Sequence, residues 1–526
     1  MRAFLFIVCL SLTFGLLYHS DLLFAQETQN VRPNIIFIMA DDHTKNAISS
    51  YGSCINQTPN IDRIAREGMR FENCFVTNSI CAPSRAVILT GKYSHINGLR
   101  DNRDEFDGSQ MIFPKLLQEA GYQTALIGKW HLKTKPEGFD YWKILQGQGS
   151  YYNPTFIEMG DTVKSEGYST TLITDFAIQT IDKFEKEKPF CLLYHHKAPH
   201  RNWMPDLKHL SMYDDSDIPV PETFFDTYGT RSAAAKEQDM EIVKLYNSMD
   251  MKINPDGDST EYSGGNKNFD AISSWNNTYH SLTEYQREMW DAAYESKNKA
   301  FMNANLSGKE LAVWKYQRYI KDYLRCVASV DENIGRLLDY LDQKGLAENT
   351  IVLYTSDQGF FLGEHGWYDK RFMYEESLGI PLLIRYPSEI RAGTVTKNMV
   401  LNLDFCATIL DYAGIRIPDD VQGRSLRPIL QGEGVKDWRQ SMYYHYYEFP
   451  HGWHDVRKHY GIRTERYKLI HFYDNIDAWE LYDLEKDPME INNIYGKTES
   501  AIIEKSLRKE MDKLQKQYGD INPTTK

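Results

Sequence analysis

The chain predicts an α/β fold: a large, mixed, mostly parallel sheet flanked by helices, followed by a smaller C-terminal antiparallel sheet plus helix. Three observations predict it. Short apolar runs that stop at polar residues alternate with segments of helical period through most of the chain. Those runs are continuous, as in strands covered on both faces. After about Ser441 the pattern turns into closely spaced short runs separated by turns. A length of 526 residues suits one large and one smaller domain, here 26–440 and 441–526.

Residues 1–25 read as an export signal. Arg2 gives a positive start, Ala3 to Tyr18 is mostly apolar, and Leu23-Phe24-Ala25 offers a small residue before Gln26. The run is short for a bilayer span, and a membrane anchor is the alternative. No second long apolar run follows. The mature chain is therefore expected to be exported, periplasmic or secreted, and without a membrane span.

Asn34 to Met39 reads as a buried parallel strand with Asp41-Asp42 at its carboxyl end. Thr58-Pro59-Asn60 opens a helix that runs through Ile61, Ile64 and Ala65 to Gly68, with Thr58 as N-cap and Pro59 just inside. Gln123–Gly128 and Phe190–Tyr194 are further strands. Tyr323, Val327, Val330, Ile334, Leu337 and Leu341 alternate steps of four and three, which predicts an amphipathic helix closed by Gly345. Ile351–Tyr354 follows as a strand that ends at Ser356-Asp357, and Pro381–Ile384 is one more. Ligands bind beyond the carboxyl ends of strands in such sheets, where both groups of acids fall. Residues from about 205 to 307 are polar and rich in Asn, Asp, Tyr and Ser, and read as an insertion over the site rather than core. Asn254, Asp256 and Asp258 mimic the start of a calcium loop. Ser259 and Gly265 stand where Gly and Glu are needed, which rejects an EF-hand. Tyr443–Phe449, Tyr460–Thr464, Tyr467–Phe472 and Trp479–Asp483 are the short C-terminal strands, and Ala501–Lys516 is a charged amphipathic helix.

A net charge of −13 argues against nucleic acid as partner, since phosphate neutralisation needs a basic surface. It leaves an anionic substrate open, because a few cations in one pocket can hold an anion. Of the seven cysteines, Cys9 leaves with the signal. Cys191, Cys326 and Cys406 sit in apolar periodic segments and read as core. Cys54 and Cys74 are candidates for a disulfide in an oxidising compartment.

Cys81-Ala82-Pro83-Ser84-Arg85, continued by Leu89-Thr90-Gly91, starts a helix from Ser84 to Thr90 that Gly91 ends. The run resembles the signature of type I sulfatases, of the alkaline phosphatase superfamily, in which the Cys is oxidised to formylglycine. The resemblance extends from about Arg32 to Tyr495, weakest over 205–307, and Leu481-Tyr482-Asp483-Leu484 with Asp487-Pro488 resembles the family's late hairpin. It implies a large α/β domain with a smaller C-terminal one, a maturation enzyme that converts Cys81, and hydrolysis of a sulfate ester. The chemistry calls for a strong nucleophile, cations on the sulfate oxygens and an acid for the leaving oxygen. Hydrated formylglycine carries two hydroxyls on one carbon. One attacks sulfur, and deprotonation of the other expels sulfate and restores the aldehyde.

By the same resemblance Asp41, Asp42, Asp357 and Gln358, with residue 81, match the family's metal ligands, Gln358 standing where Asn or His is more usual. Three carboxylates and an amide oxygen are hard ligands that suit Ca²⁺. Lys129-Trp130-His131 matches the family's Lys-x-His, with Lys129 on sulfate and the nucleophile and His131 as the base. His200, in Lys197-Ala198-Pro199-His200, matches a candidate acid for the leaving oxygen. Lys370 matches a sulfate-binding lysine, and Arg85 is implied to hold the formylglycine hydroxyl. His195 and His196 read as structural.

Asp369-Lys370-Arg371 followed by Met373-Tyr374-Glu375 resembles N-acetylglucosamine-6-sulfatases, so the implied substrate is a 6-O-sulfated glycan of heparan or mucin type. Asp369 and Arg371 would contact the sugar. His451 and His454, with Trp453 and Arg457, either close the pocket over it or form an ordinary exposed loop. The rival readings are a phosphonate or phosphodiester hydrolase of the same superfamily and a glycan-binding relative without catalysis. The full set Lys129, His131, His200 and Lys370 speaks against the second.

Overall fold

β1 (Asn34–Ala40) is buried along its whole length and lies at the middle of a ten-stranded sheet. The computed structural model describes residues 32–253 and 269–524. The expected export signal and the calcium-loop-like Asn254, Asp256 and Asp258 lie outside them. No helix among the described residues is long and apolar enough to cross a membrane.

The other strands are β2 (Met69–Phe71), β3 (Cys74–Phe75), β4 (Gln123–Gly128), β5 (Tyr141–Leu145), β6 (Thr155–Glu158), β7 (Asp161–Lys164), β8 (Phe190–His195), β9 (Thr350–Ser356), β10 (Leu382–Arg385), β11 (Thr394–Thr396), β12 (Val400–Leu401), β13 (Ser441–Tyr446), β14 (His459–Thr464), β15 (Tyr467–Phe472) and β16 (Ala478–Asp483). The large sheet runs β11-β2-β10-β9-β1-β8-β4-β5-β6-β7, and β3 and β12 form a small separate pair. β9, β1, β8, β4 and β5 are mutually parallel, while β10, β6 and β7 pair antiparallel. The register sets Ala40 beside Ser356 and both Met39 and Gly128 beside His195. The residues that follow β1, β9, β4 and β8 therefore emerge together at one edge.

β1 shows why it is central. Ile36 and Ile38 face a core shared with helices Pro59–Glu67, Ser169–Lys183 and Gly308–Gln343. Ile35, Phe37 and Met39 face the opposite core, shared with helices Cys81–Thr90, Phe113–Glu119 and Asp404–Tyr412. Both faces of a parallel strand are thus covered, which requires its unbroken apolar run. β13 to β16 form the expected antiparallel sheet, with helix Ala501–Tyr518 packed on it.

Four expectations need correction. The helix predicted from Tyr323 begins at Gly308, because its first turns bury Lys315 and Arg318. Lys315 Nζ donates to the Val243 and Leu245 carbonyls and Arg318 to that of Met251, so polar residues occupy an inward face. The described residues between 205 and 307 do not stand apart from the core, since Trp275, Trp290 and Tyr294 join the cluster under the sheet. Thr58 is not the side-chain cap of its helix. Asp331 takes that place from the long helix and accepts from the Asn60 and Ile61 N–H groups at 3.0 and 2.8 Å. Cys54, exposed, and Cys74, buried in β3, are both free thiols.

The polar stretch is clamped to the long helix by Asp322, which is fully buried. Its carboxylate accepts from Lys252 Nζ at 2.7 Å, Tyr294 OH at 2.6 Å and Arg325 at 2.9 Å. Asp322→Ala leaves the buried Lys252 without its anion and Arg325 with Asp214 alone, a loss of about 3–5 kcal/mol. The apparent Tm is expected to fall by at least roughly 5 °C, and an unchanged melting curve would show that the clamp carries no stability.

Candidate active site

Helix Cys81–Thr90 starts at the strand-end edge and is buried at every residue. Gly91, at φ +65°, ends it in the left-handed conformation, with its N–H bonded to the Val87 carbonyl. Two side chains fix this helix to the end of β9. Ser84 Oγ donates to the Asp357 carbonyl and accepts from Asn402 at 3.0 Å. Arg85 donates Nε to Asp357 Oδ2 at 3.0 Å and a second nitrogen to the Lys129 carbonyl at 2.9 Å. Arg85 therefore acts on Asp357 and on the chain at Lys129. The close seat of β4 against β8 needs Gly128, where an added Cβ would lie 1.8 Å from the His195 oxygen. The next N–H, that of Lys129, donates to the same oxygen at 2.9 Å.

Around Cys81 the structure brings together Asp41, Asp42, Arg85, Lys129, His200, Asp357, Gln358 and Lys370. Ligand atoms of Asp41, Asp42 and Asp357 lie within 4.8 Å of one another, as do those of Asp41, Cys81 and His200. Lys129 Nζ pairs with Asp41. Lys370 Nζ lies 2.7 Å from both oxygens of Asp42. His200 Nε2 stands 3.7 Å from Asp42. The amide of Gln358 donates to Asp42 and reaches Cys81 Sγ at 3.5 Å. His131 lies at φ +59° after β4, and Gln148 holds its Nε2 at 2.9 Å.

Burial sets the electrostatics. It pushes the Cys81 thiol up to about 12, against the opposing pull of Lys370 and Lys129, so an unmodified thiol stays protonated at neutral pH. Burial, with the Asp41 charge beside it, holds Asp357 up at about 8. Asp42 is raised too, by burial above all. Burial also opposes ionisation of Asp41, but the Lys129 and Arg85 cations beside it win and hold it well below the usual carboxylate range. Burial and the Lys129 cation keep His131 and His200 neutral, the form a proton acceptor needs.

These residues fit a hard divalent cation. Three fully buried carboxylates converge. Asp41 Oδ1 and Gln358 Oε1 are buried without a hydrogen-bond partner, and a half-turn of the Gln358 amide turns its oxygen toward the acids. A cation there would offset the repulsion that raises Asp357.

The expected sugar contacts divide. Arg371 donates Nε to Asp369 at 2.7 Å and a second nitrogen to Glu448, and Asp369 and Arg371 both have positive φ. His454 Nε2 lies 3.7 Å from Asp369. Asp369, Arg371 and His454 thus form one buried group next to Lys370. His451 stands apart from it, with Nε2 at 2.9 Å from Asp101. Several neighbours went unread in the sequence. Arg201 makes a two-pronged pair with Asp250 at 2.8 and 2.6 Å beneath the Tyr368 ring. Glu448 holds Arg371, and Gln148 orients His131. Lys197, buried, is lowered to about 8 by burial and Lys129. Only Lys197 lay in a motif already singled out. His195 holds the Lys129 carbonyl at 3.2 Å, a structural part as expected.

Known proteins resemble this arrangement over nearly its whole length. The family model described as Sulfatase matches residues 33–415, and that described as N-sulphoglucosamine sulphohydrolase, C-terminal, matches 363–517. An N-acetylglucosamine-6-O-sulfatase of Bacteroides thetaiotaomicron is 51% identical over 507 residues, 95% of this chain and 89% of that one. The N-acetylglucosamine-6-sulfatase of Homo sapiens is 26% identical over 79% of this chain and 67% of its own. A solved protein in complex with its substrate, D-glucosamine-2-N,6-O-disulfate, superposes at a TM-score of 0.89 with 51% identity, covering 94% of this chain and all of that one. The strand-end site and these matches, the first of which spans well over half of the sequence, lead to one conclusion: the chain belongs to the sulfatase family of the alkaline phosphatase superfamily.

Proposed function

We propose that the protein removes the 6-O-sulfate of N-acetylglucosamine or N-sulfated glucosamine in glycosaminoglycan-type chains, acting from the chain end. In this reading it is exported, an enzyme of the host matures Cys81 to formylglycine, and Ca²⁺ is held by Asp41, Asp42, Asp357, Gln358 and residue 81. Residues 26–440 are the catalytic domain, and 441–526 form the smaller domain that contributes His454. The observation that carries the reading is the meeting of Lys370 and Cys81 with the buried Asp369–Arg371–His454 group. It joins sulfate chemistry to a polar wall suited to a sugar ring. Support for the sugar comes from the relative at 51% identity and from the substrate in the solved complex.

When bound, Ca²⁺ supplies positive charge to sulfate oxygens. The chain's own groups do the rest. Lys129 and Lys370 bring fixed cations to the anion in a water-poor site. Arg85 keeps Asp357 in place. His131, neutral and oriented by Gln148, accepts the proton of the second hydroxyl at residue 81. His200, with Nε2 beside Asp42, serves as the acid for the leaving sugar oxygen once the bound anion draws a proton onto it. Asp369, Arg371 and His454 pair with sugar hydroxyls.

The test is a panel of sulfated monosaccharides and disaccharides, with aryl sulfate and aryl phosphonate as controls, run before and after chelation. Mass spectrometry of the Cys81 peptide accompanies it. Glucosamine-6-sulfates are expected to be hydrolysed by protein whose Cys81 carries the aldehyde mass, and chelation should remove activity that Ca²⁺ restores. Turnover of 2-O- or 4-O-sulfated sugars alone would reject the sugar assignment.

A further inference from the structure

The loop from Gly98 to Asp104 and the loop from Tyr447 to Lys458 enclose a pocket of about 250 Å³. Both loops are tied to the reacting end of the site. Asn102 Oδ1 accepts from the Ala82 N–H at 3.2 Å, next to Cys81. The Arg103 carbonyl accepts from Lys133 at 2.7 Å, two residues after His131. The second loop carries His454, 3.7 Å from Asp369. The 2.9 Å contact between His451 and Asp101 joins the two loops.

The acids of this pocket are already engaged. Asp104 Oδ2 accepts from the Arg100 and Asp101 N–H groups at 2.8 and 3.2 Å, and Asp101 Oδ1 from that of Arg103 at 2.7 Å. Lys458 pairs with Asp474 at 2.9 Å. Arg100 makes no carboxylate ion pair among the described residues, and its Nε is buried there without a hydrogen-bond partner. Its charge lies 6.0 Å from the Tyr447 ring. The Arg103 side chain, 62% exposed, stands 3.5 Å from Asp101 and faces solvent. A planar guanidinium with free donors matches sulfate or carboxylate oxygens.

We propose that Arg100 and Arg103 form a subsite for a second anionic group of the glycan, a sulfate or a carboxylate. The group sits either on the glucosamine being desulfated or on the next sugar. The proposal rests on the function argued above and adds that the enzyme prefers substrates with a second negative charge.

Four substrates test it: 6-sulfated N-acetylglucosamine, the same unit linked to neutral galactose, the same unit linked to a uronic acid, and glucosamine-2-N,6-O-disulfate. Arg100→Ala and Arg103→Ala are expected to raise KM about tenfold on one or both of the last two, the worth of one charged hydrogen bond. kcat should hold there, and both constants should hold on the first two, which also reports an intact fold. Wild-type KM for the doubly charged substrate should rise more steeply with salt. An effect confined to the disulfate identifies sulfate as the ligand, and one confined to the uronic acid identifies carboxylate. Variants indifferent on all four substrates, or equally impaired on all four, would overturn the subsite. Wild-type protein that hydrolyses no 6-O-sulfated glucosamine would overturn the functional reading and the subsite with it, a result distinct from indifferent variants.

Discussion

Cys81→Ala is expected to leave a folded protein whose sulfatase turnover has fallen by on the order of 10⁶-fold, as when a nucleophile is removed elsewhere. The side chain opens a fully buried helix but is small, so its loss costs little packing. Cys81→Ser separates nucleophilicity from turnover. Serine offers one hydroxyl, which can take sulfate once but has no second proton whose removal expels it. The expected result is a burst of at most one equivalent and then silence. Protein that keeps Cys81 as a thiol should be as inactive as the alanine variant. With the thiol pushed up to about 12, only about one molecule in 10⁵ is thiolate at pH 7. Mass spectrometry of the residue 81 peptide reports maturation, and single-turnover kinetics on an aryl sulfate reports the burst. Alanine protein within tenfold of the wild type would remove residue 81 from the mechanism.

How far the sequence could be read depends on how local each signal is. β4 was predicted with its observed bounds, and β1, β8 and β9 within two residues at each end. A parallel strand covered on both faces must be apolar throughout, and these stop where the chain reaches polar residues. β2 and β11 have three residues each, and β7 is largely exposed, so neither period nor composition marks them. The missed start of the long helix has another cause. Lys315 and Arg318 are buried on backbone carbonyls that come from the polar stretch, so the apolar period fails where the helix is most enclosed. In the site, Asp41, Lys129 and Asp357 stand directly after central strands, and sheet register alone predicts that they meet; His200 follows β8 by five residues. Lys370, Asp369 and Arg371 lie in one motif. Glu448 and Asp250 do not, since what places them in the site is a partner elsewhere in the chain, Arg371 and Arg201. Such pairs leave no local trace, because the energy resides in the meeting and not in either segment.

Lys370→Ala is expected to lower kcat by about 10²–10³-fold on every sulfate ester, the loss typical of one fixed charge aimed at a transition state. The position of Nζ argues for that role. It lies 2.7 Å from each Asp42 oxygen in a side chain only 3% exposed. Burial alone would lower its pKa, yet the Asp42 and Asp369 carboxylates raise it well above the usual lysine value. Lys370 is therefore favoured as a cation and serves first as charge, poised to share a proton only when the leaving oxygen develops its own. Lys370→Arg keeps the charge but is planar and larger, and should recover little, since the site holds one ammonium between two acids. The choice of substrate separates this residue from its neighbours. A group that serves the sulfate loses equally on a small aryl sulfate and on glucosamine-6-sulfate, whereas Arg371→Ala should lose chiefly on the sugar. The measurement is kcat and KM for both substrates in both variants. A Lys370→Ala loss confined to the sugar would move Lys370 out of the sulfate site and into the sugar-binding group beside it.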